Sequence, residues 1–263
     1  MDDTEFARLK TAMGVGLTEL RDRYDAVFHL VSAAKGAVDF YTTANNGART
    51  ETPEEAAALD DKIISSWMGH PHLRVIDNST DFEKKILRLL AEISSFLGEP
   101  EPCEIERKFL IQYPNVKALE SMPDCRKVEI IQTYLKSGKD EEIRVRQRGE
   151  NGHYIYVKTI KRRISGLKRV EIETRITKDE YLTLLMEADT AKRQIRKNRY
   201  CLMYENQYFE IDIYPFWSDK AIMELELCNE NDEIRFPADI KIIREVTDDE
   251  NYKNASLAER TDL

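Results

Sequence analysis

The sequence predicts an α+β protein in two unequal parts: a partial α/β segment over residues 1–98 and, after a linker at 99–102, an antiparallel barrel of about eight strands with flanking helices over 103–263. Three observations predict it. Up to residue 98 the chain alternates helical and short apolar stretches in the order of an α/β unit. Glu99-Pro100-Glu101-Pro102 then places two prolines where a helix cannot continue and the backbone is held extended. Beyond them, segment after segment alternates charged with apolar residues at a period of two, the pattern of a strand with two chemically distinct faces.

With 263 residues, 41% of them hydrophobic, the chain can build real cores. No apolar run approaches the ~20 residues needed to span a bilayer. Met1-Asp2-Asp3-Thr4-Glu5 lacks the basic and apolar regions of a signal peptide, so a cytoplasmic protein without membrane partners is expected. Cys103, Cys125, Cys201 and Cys228 are scattered without a C-x-x-C pair, which fits reduced thiols better than a zinc site or a disulfide framework. The formal net charge of -9 gives no basic field for nucleic acid. Residues 1–100 hold 11 of the 40 Lys and Arg and 17 of the 49 Asp and Glu, so the rest of the chain is dense in both signs.

In chain order, Asp2 to Met13 reads as a short helix ended by Gly14-Val15-Gly16, with a second over Leu17 to Tyr24. Ala26 to Val31 is a short, continuously apolar strand of the kind buried in a parallel sheet, with His29 as a core residue inside it. Asn45-Asn46-Gly47 marks a turn. Thr52 as N-cap, Pro53 at the first helical position and Glu55 as the capping-box partner open a helix to about Trp67. Gly69-His70-Pro71-His72 reads as a turn rather than a metal site. Leu73 to Asp77 is a second strand. Thr80 with Glu83 caps a long amphipathic helix through Leu97, closed by Gly98.

Strand, polar loop, helix, strand, helix is the rhythm of half a nucleotide-binding domain. The stretch from Tyr24 to Leu97 resembles the C-terminal half of a P-loop ATPase or kinase-like domain, in which a lid arginine reaches the nucleotide phosphates. Arg49 is the matching residue. No G-x-x-x-x-G-K-[ST] occurs in the chain, so the phosphate loop, its lysine and its magnesium-holding hydroxyl have no counterpart, and phosphoryl transfer by this half alone is not expected. Its two strands are apolar on both faces and need cover, from the second domain, another copy of the chain or a preceding half-domain.

The charged strands begin with Cys103-Glu104-Ile105-Glu106-Arg107-Lys108-Phe109-Leu110-Ile111, which places Glu104, Glu106 and Lys108 on one face and Ile105, Phe109 and Ile111 on the other. Similar alternations run through Ile143 to Arg148, Tyr154 to Lys161, Arg169 to Arg175, Lys197 to Arg199, Glu210 to Asp212 and Met223 to Leu227. Met122 or Asp124 opens a short helix toward Ile131, and Thr177-Lys178-Asp179-Glu180 is a capping box opening a helix to about Ala188. Gly138-Lys139-Asp140, Glu150-Asn151-Gly152 and Glu205-Asn206 mark the turns of an antiparallel meander.

A conventional small barrel turns its apolar face inward. Against that stand the pairing of charges at i and i+2, the segregation of acids and bases onto different strands, and apolar faces rich enough to lie beneath helices. A charged interior needs an occupant that pairs its ions, and a polyphosphate with a divalent metal is one.

Glu104-Ile105-Glu106-Arg107-Lys108 matches the E-x-E-x-K signature of the CYTH superfamily, the triphosphate tunnel metalloenzymes. The resemblance continues through Arg144 and Arg146, Lys158, Arg169-Val170-Glu171-Ile172-Glu173, Lys197-Asn198-Arg199-Tyr200, Asp212 and Met223-Glu224-Leu225-Glu226, and covers about residues 103–259. It implies an eight-stranded antiparallel tunnel that binds a triphosphate along its axis and cleaves it with Mg2+ or Mn2+. Carried over to the matching positions, Glu104, Glu106, Asp212, Glu224 and Glu226 hold the metal. Lys108, Arg144, Arg146, Lys158, Arg169, Lys197 and Arg199 grip phosphates. Glu171 and Glu173 complete the acidic side and orient water, so that the catalytic set is Glu104, Glu106, Lys108, Glu171 and Glu173. The implied partner is a triphosphate-bearing small molecule or polyphosphate. Three activities stay open: hydrolysis, cyclisation of ATP to cyclic AMP, and polyphosphate binding without chemistry.

Overall fold

A computed structural model describes residues 3–44, 47–98, 105–138, 141–165, 168–227 and 232–259, with the backbone alone described for 162–165 and 168–171. Glu104, Cys103 and Cys228 lie outside the described residues. The N-terminal part contains α1 (Asp3–Met13), α2 (Leu17–Arg21), β1 (Val27–Leu30), α3 (Pro53–Trp67), β2 (Leu73–Ile76) and α4 (Phe82–Leu97). β1 and β2 form a two-stranded parallel sheet in the register Val27↔Leu73 to Leu30↔Ile76. α3 starts as its capping box requires: the Glu55 N–H donates to Thr52 Oγ1 at 3.2 Å, and the Thr52 N–H donates to Glu55 Oε2 at 2.8 Å. α4 begins one residue later than expected. Asp81, not Thr80, is its N-cap, because the Asp81 carboxylate takes the Lys84 N–H at 2.9 Å while the Thr80 hydroxyl donates to the Asp81 carbonyl. Gly98 closes α4 at φ 80°, the left-handed region that a side chain would strain.

His29 is a core residue, buried with its Nε2 3.2 Å from Asp60. His70 is buried in its turn, with Nε2 on the Tyr24 carbonyl at 2.9 Å and Nδ1 accepting the His72 N–H at 3.0 Å. Arg49 donates to the Thr42 carbonyl at 2.7 Å and lies over the Tyr41 ring.

The second part is a sheet of nine strands: β3 (Ile105–Gln112), β4 (Cys125–Leu135), β5 (Glu141–Glu150), β6 (His153–Ser165), β7 (Lys168–Ile176), β8 (Ile195–Tyr204), β9 (Gln207–Ile213), β10 (Lys220–Leu227) and β11 (Ile242–Glu245). They pair antiparallel in the order β11-β3-β10-β9-β8-β4-β5-β6-β7. Three helices accompany them, α5 (Val116–Ser121), α6 (Lys178–Leu184) and α7 (Asn254–Glu259). The turn chemistry works as anticipated at two hairpins, where Asn151 and Gly152, and Glu205 and Asn206, all have positive φ.

Two expectations need correction. The short helix toward Ile131 is strand β4; the helix lies earlier, at α5, capped by Asn115. β4 pairs with β5 along one edge and β8 along the other, and these two ladders override the weak helical reading of its short polar start. The ninth strand, β11, is a short edge added to β3.

Register separates the two faces. Phe109, Ile111, Phe209, Ile211, Met223 and Leu225 bury one face against Leu119 of α5 and Ile240. Val145, Tyr156 and Ile176 do the same beneath Tyr181 of α6. The charged residues at alternate positions lie on the other face. Cys125 and Cys201 are buried free thiols. No helix among the described residues is long and apolar enough to cross a membrane.

Candidate active site

On the charged face, neighbouring strands present their side chains in rows. β3 carries Leu110, Lys108 and Glu106; β10 carries Ile222, Glu224 and Glu226; β9 carries Asp212 and Glu210; β8 carries Ile195, Lys197 and Arg199. Glu224 stands opposite Lys108 and Glu226 opposite Glu106, while Arg199 stands opposite Asp212. At one end the rows finish in an apolar plug of Tyr134, Ile195, Tyr214, Trp217 and Ile222 beneath Leu257 of α7. The charged centre follows, then an acidic rim.

The centre is a network of opposite charges. Lys108 Nζ lies 2.6 Å from Glu224 Oε1 and 3.8 Å from Glu106. Arg199 donates Nε to Asp212 Oδ1 at 2.7 Å, Nη2 to Asp212 Oδ2 at 2.6 Å and Nη2 to Glu224 Oε2 at 2.9 Å, and pairs also with Glu210. Lys197 donates to Asp212, which is fully buried. Farther round the sheet, Arg146 Nη1 lies 3.7 Å from Glu173 Oε1, which accepts the Thr159 hydroxyl at 2.9 Å.

Burial and charge set the protonation of these groups. Burial alone would raise the Glu224 carboxyl, but Lys108, Arg199 and Lys197 hold it well below the usual range. Glu106 goes the other way, to about 7, through its place in the cavity wall and then the like charge of Glu224, although 44% of its side chain remains open. Lys108 is raised, the pull of Glu224 and Glu106 overcoming the opposing effect of burial. Burial, followed by the charge of Arg144, lowers Arg146 to about 10, which leaves it a cation at neutral pH.

The structure thus gathers Glu106, Lys108, Lys197, Arg199, Asp212 and Glu224 in one network, with Arg146 and Glu173 beside it. Arg144 is on the same face, opposite Tyr134. For Arg169 and Glu171 the backbone register matches that of Glu173, since all three alternate along β7, and Glu104 is outside the described residues. Lys158 does not join them. Its ladder partners are Val145 and Thr174, on the face beneath α6, whereas Thr159 and Lys161 take the inward positions of β6. A period of two allows no other outcome once Arg146 pairs with Val157. Both oxygens of Asp212 are engaged by Lys197 and Arg199, as those of Glu224 are by Lys108 and Arg199.

The strand alternation includes Glu210, two residues from Asp212, and Arg148, which continues the row of Arg144 and Arg146, but assigns neither a role. It says nothing of residues from the N-terminal part, for which no local signal exists. Arg148 donates to Asp22 and, at 2.7 Å, to the Gly69 carbonyl. The Gly69 N–H donates to Tyr208 Oη at 2.8 Å, His72 Nε2 lies 3.7 Å from Glu173, and Arg74 pairs with Glu226. A cavity of about 290 Å³ lies at this junction, walled by Arg74, Arg88 and Glu92 on one side and Glu106, Glu210 and Glu226 on the other.

The donor set suits a hard divalent cation, which prefers carboxylate oxygen. Among the described residues no three His, Cys, Asp or Glu side chains are gathered as a metal cage. Mg2+ needs no such cage, because it keeps waters and takes one or two carboxylates together with substrate phosphate oxygens. Glu106 and Glu226 stand opposite each other on β3 and β10, with Glu224 and Glu210 next along the face, a grouping of carboxylates that a cation relieves, so the residues fit the ion.

Fold and site together describe a triphosphate-tunnel type of protein: an antiparallel sheet whose charged face interleaves bases with acids. The CYTH domain family matches residues 103–261, and the chain belongs to that family. An AAA domain family matches residues 9–85. An inorganic triphosphatase of Nitrosomonas europaea is 33% identical over 160 residues, which is 59% of this chain and 96% of that protein. The crystal structure of an inorganic triphosphatase shares 29% identity, covers 60% of this chain and 95% of its own, and has a TM-score of 0.43. A protein of Pyrococcus horikoshii shares 19% identity over 48% of this chain and 80% of its own, with a TM-score of 0.36.

Proposed function

We propose that this protein hydrolyses a triphosphate, inorganic or carrying an organic group, with Mg2+ or Mn2+ as cofactor. One observation carries the reading: Lys108, Lys197 and Arg199 lie on the same buried face as the acids Glu224, Asp212 and Glu210 and are bonded to them. Such a network is costly to bury unless it serves an occupant whose charges it can match. Similarity to the inorganic triphosphatase of Nitrosomonas europaea supports hydrolysis as the outcome.

In this reading Lys108, Arg144, Arg146, Lys197 and Arg199 donate to phosphate oxygens, with Arg169 following by register. The guanidinium forks supply geometry as well as charge. Glu104, Glu106, Glu224 and Glu226 would hold the divalent ion, which when bound supplies charge neutralisation between phosphate oxygens. Asp212 keeps Lys197 and Arg199 aimed at the substrate. Glu173, beside Arg146 and Thr159, orients the attacking water, and Glu171 lies two residues before it in the backbone register of β7.

Phosphorus NMR of the products from tripolyphosphate and ATP, with Mg2+ and with Mn2+, tests this. Orthophosphate with pyrophosphate or ADP is the expected result. Cyclic AMP with pyrophosphate would replace hydrolysis by cyclisation, and intact substrates would leave a binding module.

A further inference from the structure

Three cations at the centre of the tunnel are each paired with a tunnel acid. Lys108 is paired with Glu224, Lys197 with Asp212, and Arg199 with Asp212, Glu210 and Glu224. One further cation is paired with a tunnel acid without belonging to the tunnel. Arg74, on β2 of the N-terminal part, pairs through Nη2 with Glu226, the cross-strand partner of Glu106, and through Nε with Glu92 at 3.3 Å. Its side chain is only 19% exposed and walls the same cavity as Glu106, Glu210 and Glu224. On a strand otherwise composed of Leu73, Val75 and Ile76, the ion pair with Glu92 of α4 accounts for the Nε edge of this arginine and leaves its Nη2 edge directed at a tunnel acid.

We infer that Arg74 is a further substrate-binding residue: the N-terminal part lends its guanidinium to the acidic rim of the tunnel, where it binds a terminal phosphoryl group of the triphosphate. This rests on the triphosphate reading above. The rim beyond Arg199 holds Glu106, Glu210 and Glu226, so a tetra- or pentavalent anion reaching it meets repulsion unless a cation stands there. Arg74 is the cation paired with this rim, through Glu226, while Arg88 of the same cavity wall is held by Asp77. When phosphate arrives, the Nη2 edge of the guanidinium passes from Glu226 to phosphate oxygens, and the carboxylate is released toward the divalent ion. The site is then shared between the two parts of the chain, which accounts for the close docking of the 69–74 loop on the tunnel through Gly69 and Tyr208.

The test is calorimetric titration of the full chain with imidotriphosphate, the nitrogen-bridged analogue that resists cleavage, in Mg2+. Amide exchange over residues 72–76 is followed without ligand. Arg74→Gln is expected to weaken binding by about fivefold or more with exchange unchanged, the loss of one charge-assisted contact, and Arg74→Lys should recover part of it. Wild-type affinity in Arg74→Gln overturns the inference alone. If wild-type protein does not bind the analogue, the triphosphate reading itself fails and the inference falls with it. Should Arg74→Gln loosen the loop, Tyr208→Phe supplies a comparison, since it removes the hydroxyl contact to Gly69 without changing charge. At equal loosening, weaker binding by Arg74→Gln than by Tyr208→Phe supports a role on the phosphate, and equal binding overturns it.

Discussion

Arg199 and Asp212 stand directly opposite each other on β8 and β9, joined by two parallel hydrogen bonds of 2.7 and 2.6 Å, with Lys197 on the same carboxylate. Asp212 is fully buried, so removing it strands two cations away from water. Asp212→Ala is expected to destabilise the protein by about 3–5 kcal/mol, the cost of breaking a buried pair from one side. Urea unfolding measures it. A loss below about 1 kcal/mol would place this pair in the class of exposed ion pairs and remove the positioning role assigned to Asp212.

The register of β6 separates two cations that look alike in the sequence. Arg146 is on the charged face and Lys158 is beneath α6. Arg146→Ala should weaken imidotriphosphate binding by about tenfold, the loss of a charge-assisted contact, while Lys158→Ala stays within about twofold of wild type. Equal losses in the two variants would mean that the ladder is shifted by one residue.

Removal of the carboxylate charge at Glu104 and Glu106 together, by Gln at both positions, should abolish metal-dependent phosphate release while leaving the fold intact, because Gln keeps the size and polarity of Glu. The readout is phosphate release with added Mg2+ or Mn2+ and with excess EDTA. Turnover that survives in the double variant, or in EDTA, contradicts the role given to these acids.

His70 makes docking of the 69–72 loop sensitive to pH. Burial lowers its pKa from 6.5 to about 4. Between those values the unfolded chain binds a proton that the folded chain does not, so this contribution is full above about pH 6.5 and is lost as pH falls toward 4. Thermal midpoints measured from pH 7 to pH 4 should fall more steeply in wild type than in His70→Gln, which lacks the titrating ring. Parallel curves would show that His70 does not set the acid sensitivity.

Much of this protein is local physics. Thr52, Pro53 and Glu55 specify the start of α3 whatever surrounds them, as Thr177 and Glu180 do for α6, because a cap is satisfied within one turn. The alternation of Glu106-Arg107-Lys108-Phe109 and of Glu224-Leu225-Glu226 specifies two-faced strands, since successive side chains point to opposite sides. From these the charged face, and most of the residues on it, could be named. The limits are equally physical. A local pattern gives parity within a strand but not which parity faces inward, and the side of Lys158 follows only from its pairing with Val145. The stretch from Met122 or Asp124 toward Ile131 has a weak helical pattern that the two ladders flanking β4 override. Which acid neutralises which base is also beyond the sequence, because Asp212 meets Arg199 only once β8 and β9 pair and set the two opposite each other. The partnership of Arg74 with Glu226 spans 152 positions between the two parts of the chain, and no pattern of neighbours encodes it; only packing of one part against the other brings them together.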